Sequence, residues 1–298
     1  MVENVIIVGA GASFGAGEVR PKKPPLGDHL FTQLESQFPG SWGSLPDHIR
    51  KTFLDNFEDG MVALSEFKSG LHAPLYQAMG AYFAQFSLGD NNHYSTLVDG
   101  LYNSIIEGET VLASLNYDCL LEEAIVTAGL DLNPIPESLE NPGTVIKPHG
   151  SCNFLPASIQ ASGGVSFTEG VSFDAGVKWV SREDVIEYYH SEGALYPAMA
   201  LYRPDKHTQI SPSEIHRFQE LFREAVSEAN FIGIVGVGVH PRDDHIWDPL
   251  ASSDGSIHYI GGKSGFDDWQ SQYRDAGVDQ YISQEFGDGV DELISALG

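Results

Sequence analysis

The sequence predicts an α/β fold: a Rossmann-like, mostly parallel sheet with helices on both faces. Three observations carry this reading. Short β-branched runs recur along the chain, segments with helical spacing separate them, and several runs stop abruptly in glycine or polar clusters. A strand buried on both faces shows a continuous apolar run rather than an alternation, the pattern of a parallel sheet covered by helices.

The first run is Asn4–Val8, which ends in Gly9-Ala10-Gly11-Ala12-Ser13, a buried strand entering a tight loop. Gly15, Gly17, Pro21, Pro24 and Pro25 exclude a long helix directly after it. The chain is therefore expected to stay irregular until a helix restarts near Asp28, placed as its N-cap. The distance from Val8 to Val111 exceeds a single crossover, because a whole βαβ unit takes about 30 residues. An insertion over about 37–95 follows, mostly helical, since residues 28–36, 45–57 and 72–86 carry helical patterning and Pro39, Gly40 and Gly43 separate the first two. Further strands are expected at Val111–Leu115, Thr144–Lys147, Phe231–Val235 and Ile257–Ile260, with helices at Tyr117–Val126 and Ile215–Ala229. Between Cys152 and Tyr202, abundant Ser and Gly with alternating Val165, Phe167, Val171 and Phe173 predict short hairpins or loop beside the sheet. The whole is read as one domain over 1–298, without internal repeats.

Composition constrains the setting. The 298 residues carry 42 acidic against 16 basic side chains, a formal charge of -26, with 42% hydrophobic residues, which describes a soluble globular chain with an acidic surface. That charge repels a phosphate backbone, and no basic cluster is longer than Lys22-Lys23, so direct nucleic-acid binding is not expected. Two cysteines, Cys119 and Cys152, cannot make a four-cysteine zinc ribbon or a disulfide framework, which points to a reducing compartment. The longest apolar stretch, Phe231–Val239, falls short of the roughly 20 residues of a membrane span. The opening Met1-Val2-Glu3-Asn4 lacks secretory features, and a cytoplasmic location is expected.

Chemistry-bearing residues gather at the predicted strand ends. Gly9 and Gly11 lack the Cβ that would obstruct a pyrophosphate, although glycines that merely turn the chain give the same pattern. A standard dinucleotide fingerprint would place glycine where Phe14 stands and continue into a long helix, which argues against a dehydrogenase. The next strand ends in Asn116-Tyr117-Asp118, and the third in Lys147-Pro148-His149-Gly150-Ser151. Asn116 and Asp118 also fit helix capping, and His149 also fits a hydrogen-bonded loop histidine. Gly236-Val237-Gly238 and Gly261-Gly262 offer further points of close backbone approach. His240, Asp243, Asp244 and His245 are ligand-type residues, but Pro241 breaks any register that would align them around a metal, and no metal is expected.

Taken in order, Gly9-Ala10-Gly11-Ala12-Ser13, Pro25-Leu26-Gly27, Asn116-Tyr117-Asp118, Lys147-Pro148-His149-Gly150-Ser151, and Gly236 ahead of Asp243-Asp244-His245 resemble the motifs of the sirtuin-like superfamily, from residue 5 to about 262. Two departures select a branch. The zinc ribbon of the protein deacylases is missing, since only Cys152 follows the histidine motif, and Lys22-Lys23-Pro24-Pro25-Leu26-Gly27 replaces their arginine-containing segment. Gly236-Val237-Gly238 also replaces the glycine, hydroxyl residue and serine common in the family. The sequence looks instead like the sirtuin-like NADase domains of prokaryotic antiphage systems. That resemblance implies hydrolysis of NAD to nicotinamide and ADP-ribose, with abortive loss of NAD. Asn116 and His149 would be the catalytic pair, with Asp118 holding the nicotinamide carboxamide or orienting Asn116. Gly9, Ala10, Gly11, Ala12, Ser13, Pro25, Gly236, Gly238 and Gly261 would contact the nucleotide. NAD as substrate would be the only small molecule required, with no zinc. The resemblance further implies a homo-oligomer, or control by a separate subunit such as a HerA-type ATPase or a short argonaute. The alternatives are a catalytically silent sensor of NAD or ADP-ribose, a zinc-free deacylase and a metal-dependent hydrolase.

Overall fold

The computed structural model describes residues 2–67, 72–157, 174–190, 195–200, 210–240, 243–274 and 277–297. In chain order its strands are β1 (Asn4–Val8), β2 (Gly17–Arg20), β3 (Ser87–Asn92), β4 (Thr110–Ser114), β5 (Val145–Ile146), β6 (Phe154–Pro156), β7 (Val177–Trp179), β8 (Phe231–Val235), β9 (Ser256–Ile260) and β10 (Gln280–Ser283). Six of them form one parallel sheet in the order β10-β9-β8-β1-β4-β5, flanked by helices. The fold is the predicted Rossmann-like α/β. The chain winds outward from β1 through β4 to β5, then returns to β8 on the other side of β1 and continues to β9 and β10. The winding therefore reverses at β1, and the crevice above the β1–β8 boundary is the switch point where open α/β sheets bind ligands.

The continuous apolar runs have their expected cause. Every residue of β1, β4 and β8 is buried, so no position along them was free to be polar for solvent. Their registers bring the strand ends to one level. Val8 pairs with Ser114 on one side and Val235 on the other, Val235 pairs with Ile260, and Ala113 pairs with Ile146. The chain consequently leaves the sheet at Gly9, Leu115, Lys147, Gly236 and Gly261 along one rim.

Several expectations need correction. The segment after the glycine loop is not irregular: Ala10–Phe14 is one short helical turn, and β2 then pairs antiparallel with β3. Gly17, with φ of +88°, takes a backbone conformation that the pattern did not disclose. Asp28 is not an N-cap. Leu26 occupies that position without a side-chain cap, and Asp28 lies inside the first turn of the helix Gly27–Gln37, where its charge complements the helix dipole. The helix expected over 45–57 is Asp47–Asp55, and a second helix that was not anticipated, Phe57–Glu66, follows it directly: Asn56 between them adopts an extended conformation and its side chain caps the second by accepting from the Asp59 N–H at 3.0 Å. The 37–95 region thus contains β3 as well as helices. In the 152–202 region, β6 and β7 pair antiparallel, but Arg182–His190 is helical. Val165, Phe167, Val171 and Phe173 lie outside the described residues. The edge strand β10 was not anticipated. Among the described residues, no helix is long and apolar enough to cross a membrane.

Candidate functional site

The rim is built by two interlocked turns. The Gly11 N–H donates to the Gly236 carbonyl at 2.8 Å, so the loop after β1 sits directly against the turn after β8. A Cβ on Gly9 would come within 2.7 Å of Gly236 O, and one on Gly11 within 2.9 Å of Gly236 Cα. Gly236 itself has φ of +64°, and a Cβ there would lie 2.0 Å from the Ala12 nitrogen. The missing side chains at 9, 11 and 236 therefore serve the approach of backbone to backbone.

Asn116 is locked into this structure. Its Nδ2 donates to the Gly9 carbonyl at 2.9 Å and to Ser13 Oγ at 3.0 Å, with Tyr94 OH at 3.4 Å. A carbonyl can only accept, which fixes the amide and turns Oδ1 away from the glycine loop. Tyr94, contributed by the insertion, also meets Ser13 at 3.0 Å. Burial first, and the nearby Asp118 charge second, push the Tyr94 hydroxyl well above the ordinary tyrosine pKa, so it remains a protonated donor. Sequence reasoning missed Tyr94; it follows Asn92, which caps the helix His93–Gly100, and that cap was the available local signal.

Asp118 is 4% exposed, and its Oδ1 accepts from the Leu120 N–H at 3.2 Å, which opens the helix Leu120–Thr127. That capping turn explains why the helix begins later than the expected Tyr117. Beneath it lies a buried ion pair: Lys147 Nζ donates to Glu122 Oε1 and to the Asp118 carbonyl, both at 2.7 Å. Burial opposes the Lys147 charge, but Glu122 and the neighbouring groups outweigh it and hold its pKa above 10.5. Cys119 and Cys152 face each other nearby as free thiols, with Sγ atoms 3.6 Å apart, and their contact together with burial raises the Cys119 pKa well above the usual thiol value.

For Asp118, burial outweighs Lys147 and the hydrogen bonds from the Leu120 N–H and Ser13, raising its carboxyl above 3.8. The folded chain thus binds this proton more tightly than the unfolded chain. The carboxylate costs stability above its raised folded-state pKa, and the cost vanishes once the pH falls below the unfolded value. Asp118→Asn is therefore expected to melt at or above the wild-type temperature near neutral pH, with the difference closing toward about pH 3. Thermal melts across pH check this, and a variant melting several degrees below wild type at neutral pH contradicts it.

His149 is partly buried. Its Nδ1 lies 3.3 Å from the Leu115 carbonyl, and its Nε2 lies 2.8 Å from Nε2 of His245. Asn116 and His149 therefore stand on neighbouring strand ends and are connected through Leu115. Ala10 and Gly238 are exposed, and Pro25 is partly buried next to the exposed Leu26. Gly261, with φ of +156°, packs on Tyr259, whose hydroxyl donates to the Val237 carbonyl at 2.6 Å. Burial pushes that hydroxyl up to about 12. Tyr259 thereby braces the Gly236 turn from the end of β9. Among the described residues, no group of three or more His, Cys, Asp or Glu side chains is arranged to hold a metal ion. A groove of about 540 Å³ lies at the opposite, N-terminal edge of β9 and β10, lined by Asp254, Arg274 and Val278 among others. Arg274 is committed there to Asp279 and to the carbonyls of Leu250, Ser253 and Gly255.

No protein-family model matches the chain, and no curated protein matches its sequence. Among solved structures it is similar to Sir2 in complex with the inhibitor EX-527, 2'-O-acetyl-ADP-ribose and deacetylated p53 peptide. The identity is 13% and the TM-score 0.45, and the match covers 99% of this chain and 92% of that one.

Proposed function

We propose that the protein hydrolyses NAD at the nicotinamide glycosidic bond, giving nicotinamide and ADP-ribose. The observation that carries this is the placement, on the rim that also holds the topological switch point, of an Asn116 amide fixed by the Gly9 carbonyl and of the His149 imidazole on the adjoining strand end. The order of motifs shared with sirtuin-like NADases supports the choice of substrate. In the reaction, the bond between ribose C1' and the pyridinium nitrogen breaks with its electron pair going to nitrogen, so nicotinamide leaves neutral and needs no general acid. The positive charge stays on the sugar as an oxocarbenium-like state, as in glycoside hydrolysis. Water then attacks C1' and gives a proton to an imidazole whose unperturbed pKa lies near neutrality. Asn116 Oδ1, turned away from the glycine loop, is the acceptor offered to a ribose hydroxyl or to that water. Asp118, buried below, orients this end of the chain or receives the carboxamide, while Gly9–Ser13, Pro25, Gly236, Gly238 and Gly261 frame the dinucleotide.

NAD depletion in antiphage defence, in the cytoplasm, is the setting that this reading favours. Control would come through self-assembly or through a partner such as a HerA-type ATPase or a short argonaute. The test is incubation of the purified protein with NAD at several protein concentrations, following free nicotinamide and ADP-ribose by chromatography. Appearance of both in equal amounts is expected. Binding of NAD with no release of nicotinamide at any concentration would instead establish a sensor module.

A further inference from the structure

Ser13 lies inside a helical turn, and the usual partner of such a hydroxyl is the carbonyl four residues back. Here that carbonyl belongs to Gly9, and it is already full. It accepts from the Ala12 N–H and from Asn116 Nδ2, each at 2.9 Å, which uses both of its lone pairs. A Ser13 hydroxyl turned back onto Gly9 would displace Asn116 from the contact that fixes its amide. Instead, Ser13 Oγ stands 3.0 Å from Asn116 Nδ2 and 3.0 Å from Tyr94 OH, and it hydrogen-bonds the Asp118 carboxylate. A carboxylate only accepts, so the Ser13 hydrogen goes to Asp118, and the Tyr94 hydroxyl, which stays protonated, donates to Ser13. Two bonds accepted and one donated satisfy the serine completely.

Tyr94 is placed independently of the rim. The first turn of its helix, His93–Gly100, is set by the Asn92 cap, whose side chain accepts from the Ser95 N–H at 2.7 Å and donates to the Gly89 carbonyl at 2.8 Å. The His93 N–H donates to the Ala16 carbonyl at 2.8 Å, which ties that turn to the segment leaving the glycine loop. The ring packs edge-on against Phe286, with centroids 5.5 Å apart. Tyr94, Ser13 and Asn116 are 0%, 1% and 7% exposed, so water offers no ready substitute for the phenol. Resting on the hydrolase reading above, we infer that Tyr94 is a positioning residue: by holding the Ser13 hydroxyl away from the Gly9 carbonyl, it reserves that acceptor for Asn116 and keeps Asn116 Oδ1 directed at the substrate. Without the phenol, Ser13 gives up one bond fewer when it turns, and the Gly9 carbonyl becomes contested.

Tyr94→Phe keeps the ring against Phe286 and removes only the hydroxyl, so the fold should survive. It should lose activity as loss of the Asn116 amide would, with kcat lowered and KM raised, but by only about tenfold in kcat/KM, the rate equivalent of one ordinary hydrogen bond. The decisive variant adds Ser13→Ala. Alanine cannot compete for the Gly9 carbonyl, so the double variant should be faster than Tyr94→Phe alone, by about threefold or more. A purely structural phenol predicts the opposite, since a second lost hydrogen bond then only adds to the damage. A double variant no faster than Tyr94→Phe, or a Tyr94→Phe enzyme with wild-type kinetics, would overturn the inference. The Asn116 side-chain amide gives a readout independent of turnover. Its nitrogen-15 and proton signals, identified by their loss in Asn116→Ala, should exchange slowly with solvent in the wild type, faster in Tyr94→Phe, and slowly again in the double variant. Equal exchange in all three would also overturn the inference. If the wild type released no nicotinamide, the hydrolase reading would fail, while the amide signals would still decide whether Tyr94 holds Asn116 in place.

Discussion

Asn116→Ala and His149→Ala are each expected to lower nicotinamide release from NAD by a factor of about 10² to 10⁴, the usual contribution of a positioned acid–base group. The two losses arise differently. Asn116→Ala removes the amide that joins the rim to Gly9 and Ser13, and with it the acceptor proposed for the ribose, so on this proposal KM should rise along with the fall in kcat. His149→Ala breaks the imidazole pair and leaves the glycine loop intact, so its effect should fall almost wholly on kcat. If the two residues serve one step, the double variant will be little worse than the poorer single one. Steady-state kinetics on the four proteins, with circular dichroism to verify folding, check this. Wild-type turnover in both single variants would remove these residues from the mechanism.

Lys147→Met is expected to reduce folding stability by about 3–5 kcal/mol, because it strands the Glu122 carboxylate in the core. The pair is almost sealed, with side-chain exposures of 0% and 3%. Among the described residues Glu122 Oε2 has no hydrogen-bond partner, so the carboxylate is only half satisfied there. Such a pair stabilises weakly for the charge it buries, and replacing both members by apolar residues is often neutral or better. Lys147→Met combined with Glu122→Leu should accordingly recover most of the loss in urea denaturation. A single variant unfolding within about 0.5 kcal/mol of wild type, the range of an ordinary surface change, would show that the carboxylate finds another partner. The ion pair makes more sense as an anchor: by holding the Asp118 carbonyl and Glu122 together, Lys147 sets where the chain turns after β4, two residues upstream of the histidine it helps to place.

The sheet was legible wherever burial left no choice of residue. β1, β4, β5, β8 and β9 stood out as apolar runs because helices cover them and their interiors exclude polar side chains. β10 did not, since Gln280–Ser283 lies at the sheet edge and is only partly covered, and although Gly17–Arg20 alternates, it pairs with β3 from beyond the intervening helices, a partnership that no local pattern discloses. For the candidate site, strand ends followed by glycine or polar clusters led directly to Gly9, Asn116, His149 and Gly236. What could not be read were contacts that depend on how distant helices pack. Tyr94 reaches Ser13 across 81 residues of sequence from a helix in the insertion, and nothing in the local pattern around it refers to the glycine loop. His245 was visible as a polar residue beside Asp244, but its partner is decided by the angle at which its helix meets the rim.

The interlock of Gly9 and Gly11 with Gly236 bears on how this rim can vary in a mutant library. When two side chains compete for space, a second change that trims one of them usually restores the fit. At Gly236 there is no side chain to trim, because the atoms that a Cβ would meet are main-chain ones of Gly11 and Ala12. A selection for revertants of Gly236→Ala should therefore return the original codon or changes that relax the chain elsewhere, but no local suppressor at 9 or 11.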